Sequence, residues 1–231
     1  MMTRCFDLII FDWDGTLMDS AAHISTAMQH AIAGLGLPAR SDQQIRELIG
    51  LGLTDAFARL YPELNTEATL RLLGQYRQHF LNPPIATATL FSGVTEALTA
   101  LQAAGYCFAV ATGKSRRGLD RALQETQLAP FFVTSRCADE CASKPNPQML
   151  EEILAHCDVK PARALMIGDT EYDMAMASAI GMPALGVACG VHDAGRLLAA
   201  GAVAVLPSVK DVMAWLNHDA AVNAGKPANT E

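Results

Sequence analysis

The apolar run Leu8-Ile9-Ile10-Phe11 is short and continuous, and it stops abruptly on acids. A run of this kind fits a strand buried on both faces, here over residues 6–12. From Leu17 the pattern changes to helical spacing for about seventy residues. Ile24, Met28, Ala31, Ile32 and Leu35 mark one apolar face, closed by Gly34, Gly36 and Pro38. Ser41 reads as the N-cap of a short helix reaching Leu48. A further short helix covers about 54–61 and ends at Tyr61-Pro62, and Leu70, Leu73, Tyr76 and Phe80 give a longer one from Thr66 to Leu81. Asn82-Pro83-Pro84 closes the segment, and nothing within it reads as a strand.

An alternation sets in at residue 92. Helices are expected at about 92–104, 116–126 and 172–180, and strands at 106–111, 131–134 and 163–168. Pro145 and Pro147 open another helix, with Met149, Leu150, Ile153 and Leu154 on its apolar side. Apolar stretches at 184–188 and 202–206 follow, then a last helix carrying Val209, Val212, Met213 and Leu216. Alternating strands and helices imply an α/β fold, an open, doubly wound parallel sheet of Rossmann type. The expected division is a core of residues 1–17 and 88–217, an α-helical insert at 18–87 directly after the first strand, and a frayed tail at 218–231.

Composition narrows the function classes. The 231 residues are 51% hydrophobic and 18% charged, ordinary for a globular protein. A net charge of −7 argues against nucleic acid or an anionic membrane as partner. No apolar run approaches the roughly 20 residues of a membrane span, and the N-terminus lacks a signal-peptide pattern, so a cytoplasmic protein is expected. Cys5, Cys107, Cys137, Cys141, Cys157 and Cys189 form no C-x-x-C pair and read as reduced thiols, with Cys5 and Cys107 as core filler. His23, His30, His79, His156, His192 and His218 show no ligand spacing and read as surface or core-edge residues.

The candidate chemistry sits where the core strands end. Asp12 and Asp14 follow the first strand, and residues i and i+2 of an extended segment point the same way. Thr112, Gly113 and Lys114 follow the strand at 106–111, and Asp169 and Asp173 follow the one at 163–168. In an open parallel sheet such strand ends converge at the switch point, where ligands bind. Lys144 precedes Pro145 at the start of another helix and can reach the same crevice. Several carboxylates in one pocket call for a cation, and oxygen ligands without His or Cys favour a hard ion such as Mg²⁺. A hydroxyl, backbone N–H groups and an ammonium suit a phosphate dianion.

In this order Asp12-x-Asp14-Gly15-Thr16, Thr112, Lys144 and Gly168-Asp169-x-x-x-Asp173 resemble the four motifs of the haloacid dehalogenase superfamily. The helical insert resembles the branch with an α-helical cap, of the phosphoglycolate phosphatase type. The resemblance implies that Asp12 is the nucleophile, forming an aspartyl-phosphate, and also a metal ligand. It implies that Asp14 is the acid and base, touching the metal through its backbone carbonyl. Thr112 and the Gly113 N–H would hold the phosphoryl oxygens, and Lys144 would neutralise charge on both partners. Asp169 would be a direct Mg²⁺ ligand, and Asp173 would support the metal shell or Lys144.

A phosphatase of a small phosphorylated metabolite, with phosphoglycolate the leading candidate, is therefore expected. A sugar-phosphate mutase of the same superfamily is the near alternative, but such enzymes typically carry Val at the position of Thr16. A dehalogenase lacks an acid at the position of Asp14, and a phosphonate hydrolase needs a cap lysine, whereas residues 18–90 contain none. A binding or regulatory module without turnover is the alternative from another class. Ile49-Gly50-Leu51-Gly52-Leu53 resembles the cap loop facing the active site, and Arg46 could meet a second anionic group. Arg116-Arg117 reads as a solvated helix start. Monomer and dimer stay equally open.

Overall fold

The computed structural model of the chain describes residues 5–81 and 89–224. In chain order it runs β1 (Leu8–Phe11), β2 (Met18–Asp19), then helices α1 (Ala21–Gly34), α2 (Asp42–Arg46), α3 (Leu53–Leu60) and α4 (Thr66–Leu81). After β3 (Thr89–Leu90) come α5 (Val94–Ala103), β4 (Cys107–Thr112), α6 (Arg116–Thr126), β5 (Phe132–Cys137) and α7 (Gln148–Cys157). The chain continues through β6 (Ala164–Gly168), α8 (Glu171–Ser178), β7 (Ala184–Val187), α9 (Ala194–Ala199), β8 (Ala204–Leu206) and α10 (Val212–Ala224).

Six strands form one parallel sheet in the order β5-β4-β1-β6-β7-β8. β1 lies near its middle because all four of its residues are apolar and need cover on both faces. Alternation then sorts the side chains. Ile9 and Phe11 join Phe108, Val110, Leu165 and Ile167 beneath α5, α6 and α10. Leu8 and Ile10 join Ala109, Ala111 and Met166 beneath α7, α8 and α9. Each large aliphatic or aromatic side chain buried this way contributes about 1.5–3 kcal/mol. The strand order reverses between β4 and β6, so the carboxyl ends of β4, β1 and β6 stand side by side at the switch point.

Helices α1–α4 gather round a core of their own, with Met28, Ile32, Ile45, Phe57, Leu60 and Leu72 buried together. Ser41 caps α2 through a full capping box with Gln44.

Several expectations need correction. Met18–Asp19 is a strand, pairing antiparallel with Thr89–Leu90, and the Phe91 N–H donates to the Leu17 carbonyl at 3.0 Å. Two residues give no periodicity to read; the pairing exists because the chain leaves and re-enters the core at one point. The last helix runs to Ala224, past the expected start of a frayed tail at 218, because its Ala-rich turns favour helix despite little apolar patterning. α9 is only six residues long, too short for the pattern to show a helical period. The helix after Pro147 starts at Gln148, so Lys144 sits in the turn before it and not at its start. Cys107 is exposed, at the first position of β4 outside the buried stretch. Asn82-Pro83-Pro84 lies outside the described residues.

Candidate active site

β1 delivers Asp12 to the switch point, and the Asp12 N–H still donates to the Ile167 carbonyl at 2.9 Å. The neighbouring β6 delivers Asp169, and the first turn of α8 delivers Asp173. All three carboxylates are buried, with one oxygen of each lying within 4.8 Å of the others. The Lys144 ammonium is equally buried between them, 2.8 Å from Asp12 Oδ1 and 2.7 Å from Asp173 Oδ1. Asp173 Oδ2 accepts from the Thr170 N–H and hydroxyl, so both of its oxygens are engaged. Asp169 Oδ1 accepts from the Thr16 hydroxyl at 2.9 Å and Oδ2 from the Val191 N–H at 2.9 Å. Asp12 Oδ2 has no partner among the described residues. Gly15 has φ +79° and passes so close that an added Cβ would lie 2.1 Å from Asp169 Oδ2. Only glycine fits there, on both counts.

Burial raises the Asp12 carboxyl to about 7 against the pull of Lys144, with Asp173 adding to the rise. Burial and the charges of Asp12 and Asp173 hold Asp169 well above the ordinary carboxyl value. Burial works against the Lys144 ammonium, but Asp12 and Asp173 outweigh it and raise its pKa. Three acids thus face one ammonium. At about 4 Å each like-charge pair costs on the order of 4 kcal/mol for an effective dielectric near 20. A hard divalent cation would relieve this, and the clustered carboxylates of Asp12 and Asp169, with Asp12 Oδ2 unpartnered among the described residues, offer it oxygen ligands. Among the described residues no other group of His, Cys, Asp and Glu could hold a metal.

Asp14 lines the same cavity as Asp12, but its carboxylate turns away from the three-acid cluster. Its Oδ1 accepts from the Ser20 hydroxyl at 2.6 Å and pairs with the Lys114 ammonium at 3.0 Å. Lys114 stands at a strand end with no role in the sequence pattern; the structure brings it to the cavity wall against Asp14, and a cation two residues after Thr112 is the signal for it. Thr112 is buried under the site, its hydroxyl accepting the Lys114 N–H at 3.2 Å, and it does not line the cavity. Gly113 does line it. There the loop after α2 rests on the core: a Cβ on Gly113 would lie 2.6 Å from the Gly50 and Leu51 carbonyls. The Gly52 N–H donates to Ser143 Oγ at 2.8 Å.

The cavity measures about 400 Å³. Its roof comes from α1, α2, α3 and α4, with Ile24, Met28, Ile45, Leu60, Tyr76 and Phe80 facing it. Lys114 Nζ lies over the Phe80 ring, 4.9 Å from its centroid, so one aromatic face of the roof touches the floor. Burial and the nearby Asp14 push the Tyr76 phenol well above its ordinary value. Arg46 takes no part; it is tied to Asp42 at 2.6 Å on the surface, one helical turn back. Among the described residues, the cations at the cavity are Lys114, Arg77 and Arg117. Arg116 is held by Glu140, Asp120 and Ser135 outside it.

On the far side, Arg196 pairs with Glu47 of the helical segment and with Glu171 of the core, and the Tyr172 hydroxyl donates to the Glu47 carbonyl. His192 is buried in this junction, contrary to the expectation of a surface or core-edge histidine. Its Nδ1 accepts the Glu171 N–H at 3.0 Å, and burial lowers its pKa, so the ring is neutral with its proton on Nε2.

Residues 9–187 match the family described as haloacid dehalogenase-like hydrolase. The chain is 34% identical over 212 residues to the "Probable phosphatase IndB" of Dickeya dadantii, covering 89% of this chain and 91% of that one. It is 28% identical over 193 residues to the "Phosphoglycolate phosphatase" of Vibrio vulnificus, covering 80% and 85%. A solved structure described as "Putative beta-phosphoglucomutase from Bacteroides vulgatus" has the same fold, with a TM-score of 0.81, 21% identity and coverage of 97% and 92%.

Proposed function

The chain belongs to the haloacid dehalogenase-like hydrolase family, and from that premise we propose that it hydrolyses a small phosphorylated metabolite through an aspartyl-phosphate on Asp12. The observation that carries this reading is the pairing of two differently held acids on one cavity. Asp12 is buried against Lys144 with one oxygen free, whereas Asp14, two residues on, is fixed by Ser20 and Lys114.

In the first step an Asp12 oxygen bonds to phosphorus while the bond from phosphorus to the alcohol oxygen breaks, and that oxygen takes a proton from Asp14. In the second, Asp14 takes a proton from a water molecule as the water oxygen bonds to phosphorus. The bond to Asp12 breaks, inorganic phosphate leaves, and both acids return to their starting states. Lys144 keeps its charge throughout and holds Asp12 in place. Lys114 and the Gly113 backbone N–H, which line the same cavity, would hold the phosphoryl oxygens. Asp12 and Asp169, with the Asp14 carbonyl, would hold Mg²⁺, and Asp173 would orient Lys144. When bound, the ion supplies charge neutralisation for the approaching phosphate.

The test is magnesium-dependent phosphate release by the full chain from a panel of phosphorylated sugars, nucleotides, phosphoglycolate and pyridoxal phosphate. Turnover abolished by EDTA and by Asp12→Asn is expected. Isomerisation of a sugar phosphate without phosphate release would replace the hydrolase by a mutase.

A further inference from the structure

We propose that the alcohol half of the substrate is an apolar, ring-sized body with few hydroxyls, seated against the helical roof; this rests on the phosphatase reading of the same cavity. The cavity is continuous from Asp12, Asp14 and Lys114 below to Met28, Ile45, Tyr76 and Phe80 above. At about 400 Å³ it falls within the roughly 300–1,000 Å³ typical of sites that enclose a drug-sized molecule. A phosphoryl group on a two-carbon acid would leave much of it to water against an apolar wall, which such water does not wet well.

The polar inventory points the same way. Among the described residues, the helical segment offers the cavity one side-chain hydroxyl, that of Tyr76, and one charge, that of Arg77. Arg77 and Arg117 are exposed, Lys114 is already engaged by Asp14, and the core-side Ser115 and Asp139 already accept the Gly118 and Arg116 N–H groups. Sugar hydroxyls moved from water to this roof would lose hydrogen bonds without replacement. A ring would instead gain burial and aromatic contact. Tyr76 and Phe80 stack on each other with centroids 5.6 Å apart and planes 27° apart, so they present a continuous aromatic edge.

The experiment compares kcat/KM for phenethyl phosphate and ethyl phosphate, which share a primary alkoxide leaving group and differ in the ring. Phosphoglycolate and a hexose phosphate complete the set, all with the full chain and magnesium. Phenethyl phosphate is expected to exceed each of the other three by about tenfold or more, the scale of burying one ring. Met28→Gln places an amide in the roof at equal length and is expected to cut the phenethyl-to-ethyl ratio by about threefold or more; Ile24→Thr serves if that variant does not fold. A ratio below about tenfold, equal turnover of the sugar or two-carbon ester, or a ratio that survives both roof substitutions overturns the proposal while leaving a phosphatase. Absence of phosphate release from every ester overturns the phosphatase reading itself, and this inference with it.

Discussion

Below the cavity, Asp12, Asp169, Asp173 and Lys144 are buried, charged and hydrogen-bonded at the ends of adjacent strands and in the turns beside them. Above it, Ile24, Met28, Ile45 and Leu60 come from helices and carry no polar atoms in their side chains. The floor is set by the sheet, whose register fixes where each strand ends. The roof is set by helix packing and meets the floor at several points, among them the Gly50–Gly52 loop on Gly113 and Ser143, Glu47 on Arg196 and Tyr172, and Phe80 on Lys114. A charged floor tolerates almost no change, because three buried acids share one ammonium and the loss of any member leaves the rest further out of balance. An apolar roof tolerates exchange of one apolar group for another. Such a division lets the floor keep one chemistry while the roof selects what is brought to it.

The comparison can be broken first at the nucleophile. Asp12→Asn keeps the shape but removes the charge, and kcat should fall by about 10⁴-fold or more with an unchanged circular dichroism spectrum. Residual turnover within tenfold of the parent would mean that the floor does not do the chemistry. Next, Lys144→Met leaves three buried acids without their cation. Urea unfolding at neutral pH without metal should register a loss of about 3–5 kcal/mol, the scale for breaking a buried ion pair. A loss under about 1 kcal/mol would show that the acids are compensated some other way. Lys114→Met should lower kcat by about 10²-fold and cost less stability than Lys144→Met, since Lys114 has one acid partner at the cavity wall where Lys144 has two in the interior. Equal losses in stability and rate would assign it to the scaffold.

The floor also predicts a pH dependence. The folded Asp12 carboxyl titrates at about 7, against 3.8 for the ordinary group. Between those values the unfolded chain binds fewer protons than the folded one, so the metal-free protein should lose stability as pH rises from about 4 to about 7. A bound cation removes the repulsion that develops, so the gain in melting temperature on adding magnesium should be larger at about pH 8 than at about pH 5. A gain that shrinks with rising pH would contradict it. The smallest effect is reserved for Arg46→Ala, which removes an exposed ion pair outside the cavity. It should cost about 0.3–0.5 kcal/mol in chemical denaturation and leave KM within about twofold. A large rise in KM would put Arg46 back at the substrate.

Much of the floor was legible in the order of residues. A strand buried on both faces leaves an unbroken apolar signal, and the acids after β1 and β6 interrupt it visibly. Asp12 and Asp169 come together as strand ends at a switch point must, and the turns and helix start beside them bring Lys144 and Asp173. The direction of individual side chains was not legible. Asp14 shares the cavity with Asp12, yet its carboxylate leaves the acid cluster for Ser20 and Lys114, because Gly15 turns the backbone at once after it. Thr112 lies beneath the cavity and not on its wall. Arg46 looked well placed by its distance along the chain, but an i,i+4 partner on its own helix captured it. His192 carried no periodic signal; a loop folded over Asp169 buries it.

By itself, then, the sequence determined the alternation of strands and helices, the helical insertion and the set of acids at strand ends, because burial periodicity and chain order are local properties. The tertiary structure alone decided that Met18–Asp19 pairs with Thr89–Leu90, that Lys114 holds Asp14, and that the helices close over the acids with an apolar face. Each of these joins residues far apart in the chain, and the energy that fixes them arises only when both partners are desolvated together.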